Sequence, residues 1–138
     1  MRVATIEQLF TYPIKGLTPQ EMSEFVLTAG HGIKGDRAFA LMFADSNIEA
    51  AKIPAQNQPW MSKKYLAVQN DWPLLAALEC DYQPETAVLT VKRQGVGVLS
   101  AATNTAAGRD RISTFFTEYL ATIEPTKEAK HPQLAPLQ

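Results

Sequence analysis

Two cations stand beside glycines in the first third of the chain. Lys15 lies in "LFTYPIKGL" (Leu9 to Leu17), and Arg37 lies in "GHGIKGDRAFAL" (Gly30 to Leu41). Each marks a place where an apolar run meets a turn. A lysine binds phosphate as a point charge, and an arginine grips an oxyanion with a two-pronged fork. Glycine next to either one lets backbone N–H groups approach an anion closely. The glycine pattern matches neither a phosphate-binding P-loop nor the dinucleotide fingerprint. From spacing alone the plainer reading is therefore preferred, in which Gly16, Gly30, Gly32 and Gly35 make tight turns and both cations face water. Asp36 either orients the Arg37 guanidinium or caps a turn, and the turn role is favoured.

Other residues join or leave this candidate site by type. "PWMSKKY", Pro59 to Tyr65, sets Trp60 and Tyr65 beside Lys63 and Lys64. They would add charge and an aromatic wall to the same anion site, the alternative being a solvated lysine pair beside a packed tryptophan. Cys80 falls on the apolar face of its segment with Leu78 and Tyr82. A reactive thiolate needs an accessible, electropositive setting, so Cys80 reads as structural. His31 and His131 have no ligand partners at metal spacing, which argues against a zinc site. No Ser-His-Asp set or paired carboxylates can be nominated. These residues describe a binder rather than a complete catalyst.

The elements that must position them are mostly strands. Residues 2–12 are rich in Val, Ile, Phe, Thr and Tyr, and read as a strand ended by Pro13. Ser23 to Ala29 is a second short apolar run, and Arg37 to Ala44 is apolar throughout, as a strand buried on both faces would be. Residues 45–62 have no period and read as a long irregular loop. Leu74, Ala76, Leu78, Cys80 and Tyr82 alternate with polar residues, "QPET" at 83–86 turns, and "AVLTVKR" alternates again, which predicts a hairpin. From 105 to 122, Ile112, Phe115, Phe116, Tyr119 and Leu120 share one helical face, with Thr103 or Asn104 as the cap. Pro125 stops the helix, and 125–138 reads as a tail or linker. The order predicts an α+β domain over 1–124: a mostly antiparallel, barrel-like sheet with one C-terminal amphipathic helix.

Composition narrows the function classes. The chain has 138 residues, a net charge of −1, 46% hydrophobic and 20% charged residues, so one packed domain is expected and no global attraction to nucleic acid. The single cysteine rules out an internal disulfide and makes a cytoplasmic setting the default expectation. No signal peptide or membrane-spanning run is visible, so no membrane partner is expected.

Taken together, "LFTYPIKGL", "LTAGHGIKGDRAFAL", "WMSKK" and "PLLAALE" resemble the N-terminal β-barrel domain of MOSC proteins. The resemblance runs from about residue 2 to residue 122. It implies a domain that helps clamp the pyranopterin of the molybdenum cofactor, with Lys15, Gly16, Arg37, Lys63 and Lys64 as its cofactor-binding residues. Lys15 and Arg37 would meet the phosphate. Gly16 stands where the amidoxime-reducing branch tends to have serine, which removes a hydroxyl donor and leaves a backbone N–H. Lysines in "WMSKK" stand where that branch tends to have arginine. The molybdenum-ligating cysteine of the family lies in the MOSC domain proper, and Cys80 does not match it. The resemblance thus implies half of a molybdenum oxidoreductase, without catalysis of its own, that needs a MOSC domain in cis or in trans as partner. The chain is then either cut short or a free-standing module. The alternative function is a stand-alone module that binds a small anion or a protein.

Overall fold

The computed structural model describes residues 1–44, 63–127 and 130–137. The expected loop at 45–62, with Trp60, lies outside the described residues.

Strand β5 (Phe39–Phe43) is the element around which the rest is arranged, and all five of its residues are buried. A strand with partners on both edges and side chains packed on both faces has no reason to alternate with polar residues, which is why 37–44 reads as unbroken apolar sequence. On one edge lies β9 (Pro132–Pro136), antiparallel, with Leu41 opposite Leu134. On the other edge two separate stretches come in: Ile14 bridges Phe39 in parallel and Leu66 bridges Met42 antiparallel. Phe39, Leu41 and Phe43 enter the main core with Ile14, Leu78, Phe116 and Leu120. Ala40 and Met42 point the other way, into a smaller cluster with Leu66 and Val68.

The C-terminal stretch, expected as a tail or linker, contains β9. Its prolines hide it from sequence reading, since proline ordinarily argues against a strand. Here the N–H of Leu137 donates to the carbonyl of Ala38 and the carbonyl of His131 accepts from the N–H of Ala44, at the two ends of β5, so the odd-numbered residues face the ladder. Pro132 and Pro136 fall on the outward parity, where no ladder N–H is needed.

Three further strands form the expected hairpin and its extension: β6 (Leu78–Gln83), β7 (Val88–Arg93) and β8 (Val96–Ala102), paired antiparallel in that order. Leu78, Cys80, Leu89 and Val91 point inward as the alternation predicts. The strand does not reach back to Leu74, however. Pro73–Ala77 is a 3-10 turn with proline at its start, leaving Leu74 53% exposed.

The first expected strand is also shorter than its composition suggests. Only β1 (Leu9–Thr11) is paired, with β2 (Gln20–Met22), and Val3 and Ile6 lie exposed. The three-residue partner limits the ladder, whatever the β-propensity upstream. Likewise the run 23–29 yields only β3 (Leu27–Thr28), which pairs with β4 (Gly32–Ile33).

Helix α1 (Ala106–Ile123) packs Ile112, Phe116, Tyr119 and Leu120 into the core, with Phe115 at its margin. Its cap is Thr105, whose Oγ1 accepts from the N–H of Gly108 at 3.0 Å, rather than Thr103 or Asn104. Thr103 is buried, and its hydroxyl donates to the carbonyl of Ala87 at 2.9 Å, closing the end of the β7–β8 pair. The architecture is thus mostly antiparallel sheet with one C-terminal helix. Its sheets do not close into a barrel among the described residues.

Candidate anion-binding site

The two cation-bearing stretches run side by side. The N–H of Arg37 donates to the carbonyl of Tyr12, that of Phe39 to Pro13 at 3.1 Å, and that of Lys15 to Phe39 at 2.8 Å. Arg37 is therefore level with Tyr12, and Lys15 lies past Phe39. The offset is about three residues, roughly 10 Å along the strand direction. Pro13 ends the local strand signal without ending the pairing, because its missing N–H is not used and its carbonyl is.

Around Arg37 the backbone is tightly held. Gly35 has φ +89° and Arg37 itself has φ +48°, a conformation that residues with a side chain seldom adopt. Asp36 is more than a turn residue. Its Oδ1 accepts from the N–H of Tyr12 at 2.9 Å, and its Oδ2 accepts from Nε of Arg37 at 3.2 Å. This ties the arginine to the strand that leads to Lys15. The adjacency of Asp36 and Arg37 signalled their ion pair, whereas the bond to Tyr12 crosses 24 residues and has no local signal.

Gly16 sits at the other end of the same stretch. Its φ is +82°, and a Cβ there would run into the side chain of Val68. Its carbonyl accepts from the N–H of Gln69 at 3.1 Å. The turn role foreseen for this glycine is thus real, and it also allows 66–69 to pack directly against 14–17.

Lys63 and Lys64 open the 3-10 turn Lys63–Tyr65, both exposed, and Lys64 Nζ lies 4.7 Å from the centre of the Tyr65 ring. Since Leu66 bridges Met42 antiparallel, this turn lies toward the C-terminal end of β5. Lys15 and Gly16 are thus joined to the Arg37 stretch by hydrogen bonds, whereas Lys63 and Lys64 lie at the opposite end of the same β5 edge. Phe39 to Phe43 alone spans about 13 Å, more than a single phosphate can bridge.

Lys15 is half-buried, and its ammonium has no partner among the described residues. Arg37 is 66% exposed at its side chain and shares its charge with Asp36. The arrangement offers charged donors, with no nucleophile beside them among the described residues. Cys80 lies elsewhere, 1% exposed, with burial pushing its thiol up to about 12 despite a hydrogen bond with Thr18. That thiol stays protonated and inert at neutral pH. No group of His, Cys, Asp and Glu among the described residues could hold a metal ion. No described helix is long and apolar enough to cross a membrane.

Comparison with known proteins adds one finding. The family model described as the MOSC N-terminal beta barrel domain matches residues 3–123. No curated protein and no solved structure matches the chain.

Proposed function

The chain belongs to the MOSC N-terminal beta barrel domain family, and on that premise we propose that it is the cofactor-clamping half of a molybdenum-cofactor protein, completed by a MOSC domain in cis or in trans. The observation that carries this reading is the hydrogen-bonded pairing of 12–15 with 37–39, which puts Lys15 and Arg37 on adjacent stretches of backbone. Their donors suit a phosphate-bearing group: among the described residues, the ammonium of half-buried Lys15 has no partner and the Arg37 guanidinium has one edge engaged. When bound, the pyranopterin cofactor supplies the molybdenum centre and its redox chemistry. This chain supplies charge and position. Lys15 neutralises the phosphate, the Gly16 amide stands beside it, and Arg37 orients an oxygen pair. Lys63 and Lys64, at the far end of β5, reach only the outer part of an extended ligand.

A half-buried lysine and an exposed arginine, both still open to water, each gain only about 1 kcal/mol against a single charge at contact distance in a water-like dielectric. The isolated chain therefore holds such a ligand weakly, and a second domain that excludes water strengthens both contacts. The test is co-expression with a MOSC domain, followed by metal and pterin analysis of the purified pair. Cofactor is expected in the pair and not in the chain alone. Arg37→Ala should lose more cofactor than Arg37→Lys, and Lys63→Ala less than either. Full occupancy in Arg37→Ala would reject the clamp.

A further inference from the structure

We propose that Asp36 is a positioning residue, pinning the Arg37 guanidinium by one edge so that the opposite edge is presented to an oxyanion. The inference rests on the anion reading above and goes beyond it by assigning the orienting group and the face of the arginine that binds.

A guanidinium carries five N–H donors in a plane. Asp36 Oδ2 lies 3.2 Å from Nε and 3.2 Å from Nη2 of Arg37, so the side-on edge is occupied. The end-on fork, made by Nη1 and the outer hydrogen of Nη2, has no partner among the described residues. The other carboxylate oxygen is fixed to a different element, through the N–H of Tyr12 at 2.9 Å. The carboxylate is 19% exposed against 66% for the arginine, so the anchor is sheltered and the presented group is not. The main chain supports the same geometry, because the Arg37 N–H also goes to Tyr12 while its φ stands at +48°. A free surface arginine must give up rotamer freedom to bind, and a pinned one has already lost most of it.

Asp36 could instead be a mere counter-ion, and the two roles have opposite signs. A counter-ion lowers the local positive potential and weakens anion binding, so its neutralisation tightens binding. A positioning carboxylate helps binding despite its charge, so its neutralisation weakens binding. Asp36→Asn separates them. The amide oxygen can still accept from Tyr12, but its NH2 group cannot accept from Nε of Arg37.

The experiment uses the full chain, with nuclear magnetic resonance of the arginine Nε–H signals and a titration with inorganic phosphate. In the wild type the Arg37 Nε–H should exchange with water about tenfold more slowly than those of unpinned arginines. In Asp36→Asn that protection should vanish and phosphate binding should weaken by about threefold or more, with the melting temperature kept. Should Asp36→Asn fail to fold, the exchange rate of the wild-type Arg37 Nε–H decides by itself, because it reads the pinned edge directly. A wild-type Arg37 Nε–H that exchanges as fast as the others overturns the inference. So does phosphate binding that is equal or tighter in Asp36→Asn, and either result leaves the anion reading standing. If the wild-type chain binds no phosphate at all, the anion reading fails and this inference with it.

Discussion

Leu134 stands directly opposite Leu41 across the β5–β9 ladder, and its outward N–H donates to the hydroxyl of Ser113 on α1 at 3.3 Å. One residue of the C-terminal stretch thus joins the central strand to the helix. Leu134→Ala should cost about 2–5 kcal/mol, as for other buried leucines. Ser113→Ala should cost about 1–3 kcal/mol by leaving that N–H unpaired. Urea unfolding of both variants checks this, and an unchanged midpoint for Leu134→Ala would mean that 132–136 does not pack as a strand.

Gly16→Ala should destabilise the chain by more than the ordinary effect of an added methyl. Two separate costs meet there: about 1–2 kcal/mol for a left-handed backbone, and the clash of the new Cβ with Val68. Val68→Ala in the same chain should recover the steric part and not the backbone part. A double-variant cycle with thermal unfolding would show this, and the absence of any coupling between the two positions would contradict the close approach.

Cys80 should react slowly with a polar thiol reagent in the native state and quickly once unfolded, because it is 1% exposed. Its ionisation also gives a pH dependence with a definite sign. The folded thiol holds its proton to about 12, against a reference value of 9.0. As the pH rises past 9 the unfolded chain releases this proton first, which favours unfolding. The stability tied to the neutral thiol is intact below about pH 9 and is lost between about 9 and 12. Unfolding midpoints at pH 8 and 10.5 should therefore fall more steeply in the wild type than in Cys80→Ala. Equal slopes would contradict the burial of this sulfur.

Phe116 is fully buried on α1 and lies edge-on to Phe115, with ring centres 5.2 Å apart. Phe116→Ala should cost about 3–5 kcal/mol, measured by denaturant unfolding. Phe115→Ala, at the margin of the core, should cost less. A reversal of that order would mean that the helix presents a different face.

Local patterns carried the reading furthest where an element's neighbours are close in sequence. The β6–β7 hairpin was legible from two alternating runs around "QPET". The helix was legible from the spacing of Ile112, Phe116, Tyr119 and Leu120, and the burial of β5 from its unbroken apolar run. The candidate site was visible only as residue types: two cations beside glycines, with a family pattern that joined them.

Tertiary structure decided whatever depended on a partner far along the chain. Residues 2–8 have strand composition and stay unpaired, because β2 offers only three residues to pair with. Pro132–Pro136 has poor strand composition and becomes a strand, because its odd-numbered residues pair along the edge of β5 and the outward N–H of Leu134 finds Ser113. Asp36 looked like a turn residue until the fold brought Tyr12 to its carboxylate. The sequence by itself determined the hydrophobic periods, the turn glycines and the types of charged group available. Pairing of distant backbone decided which strands exist and what anchors the Asp36 carboxylate, since a hydrogen bond between remote residues leaves no periodic trace in either one.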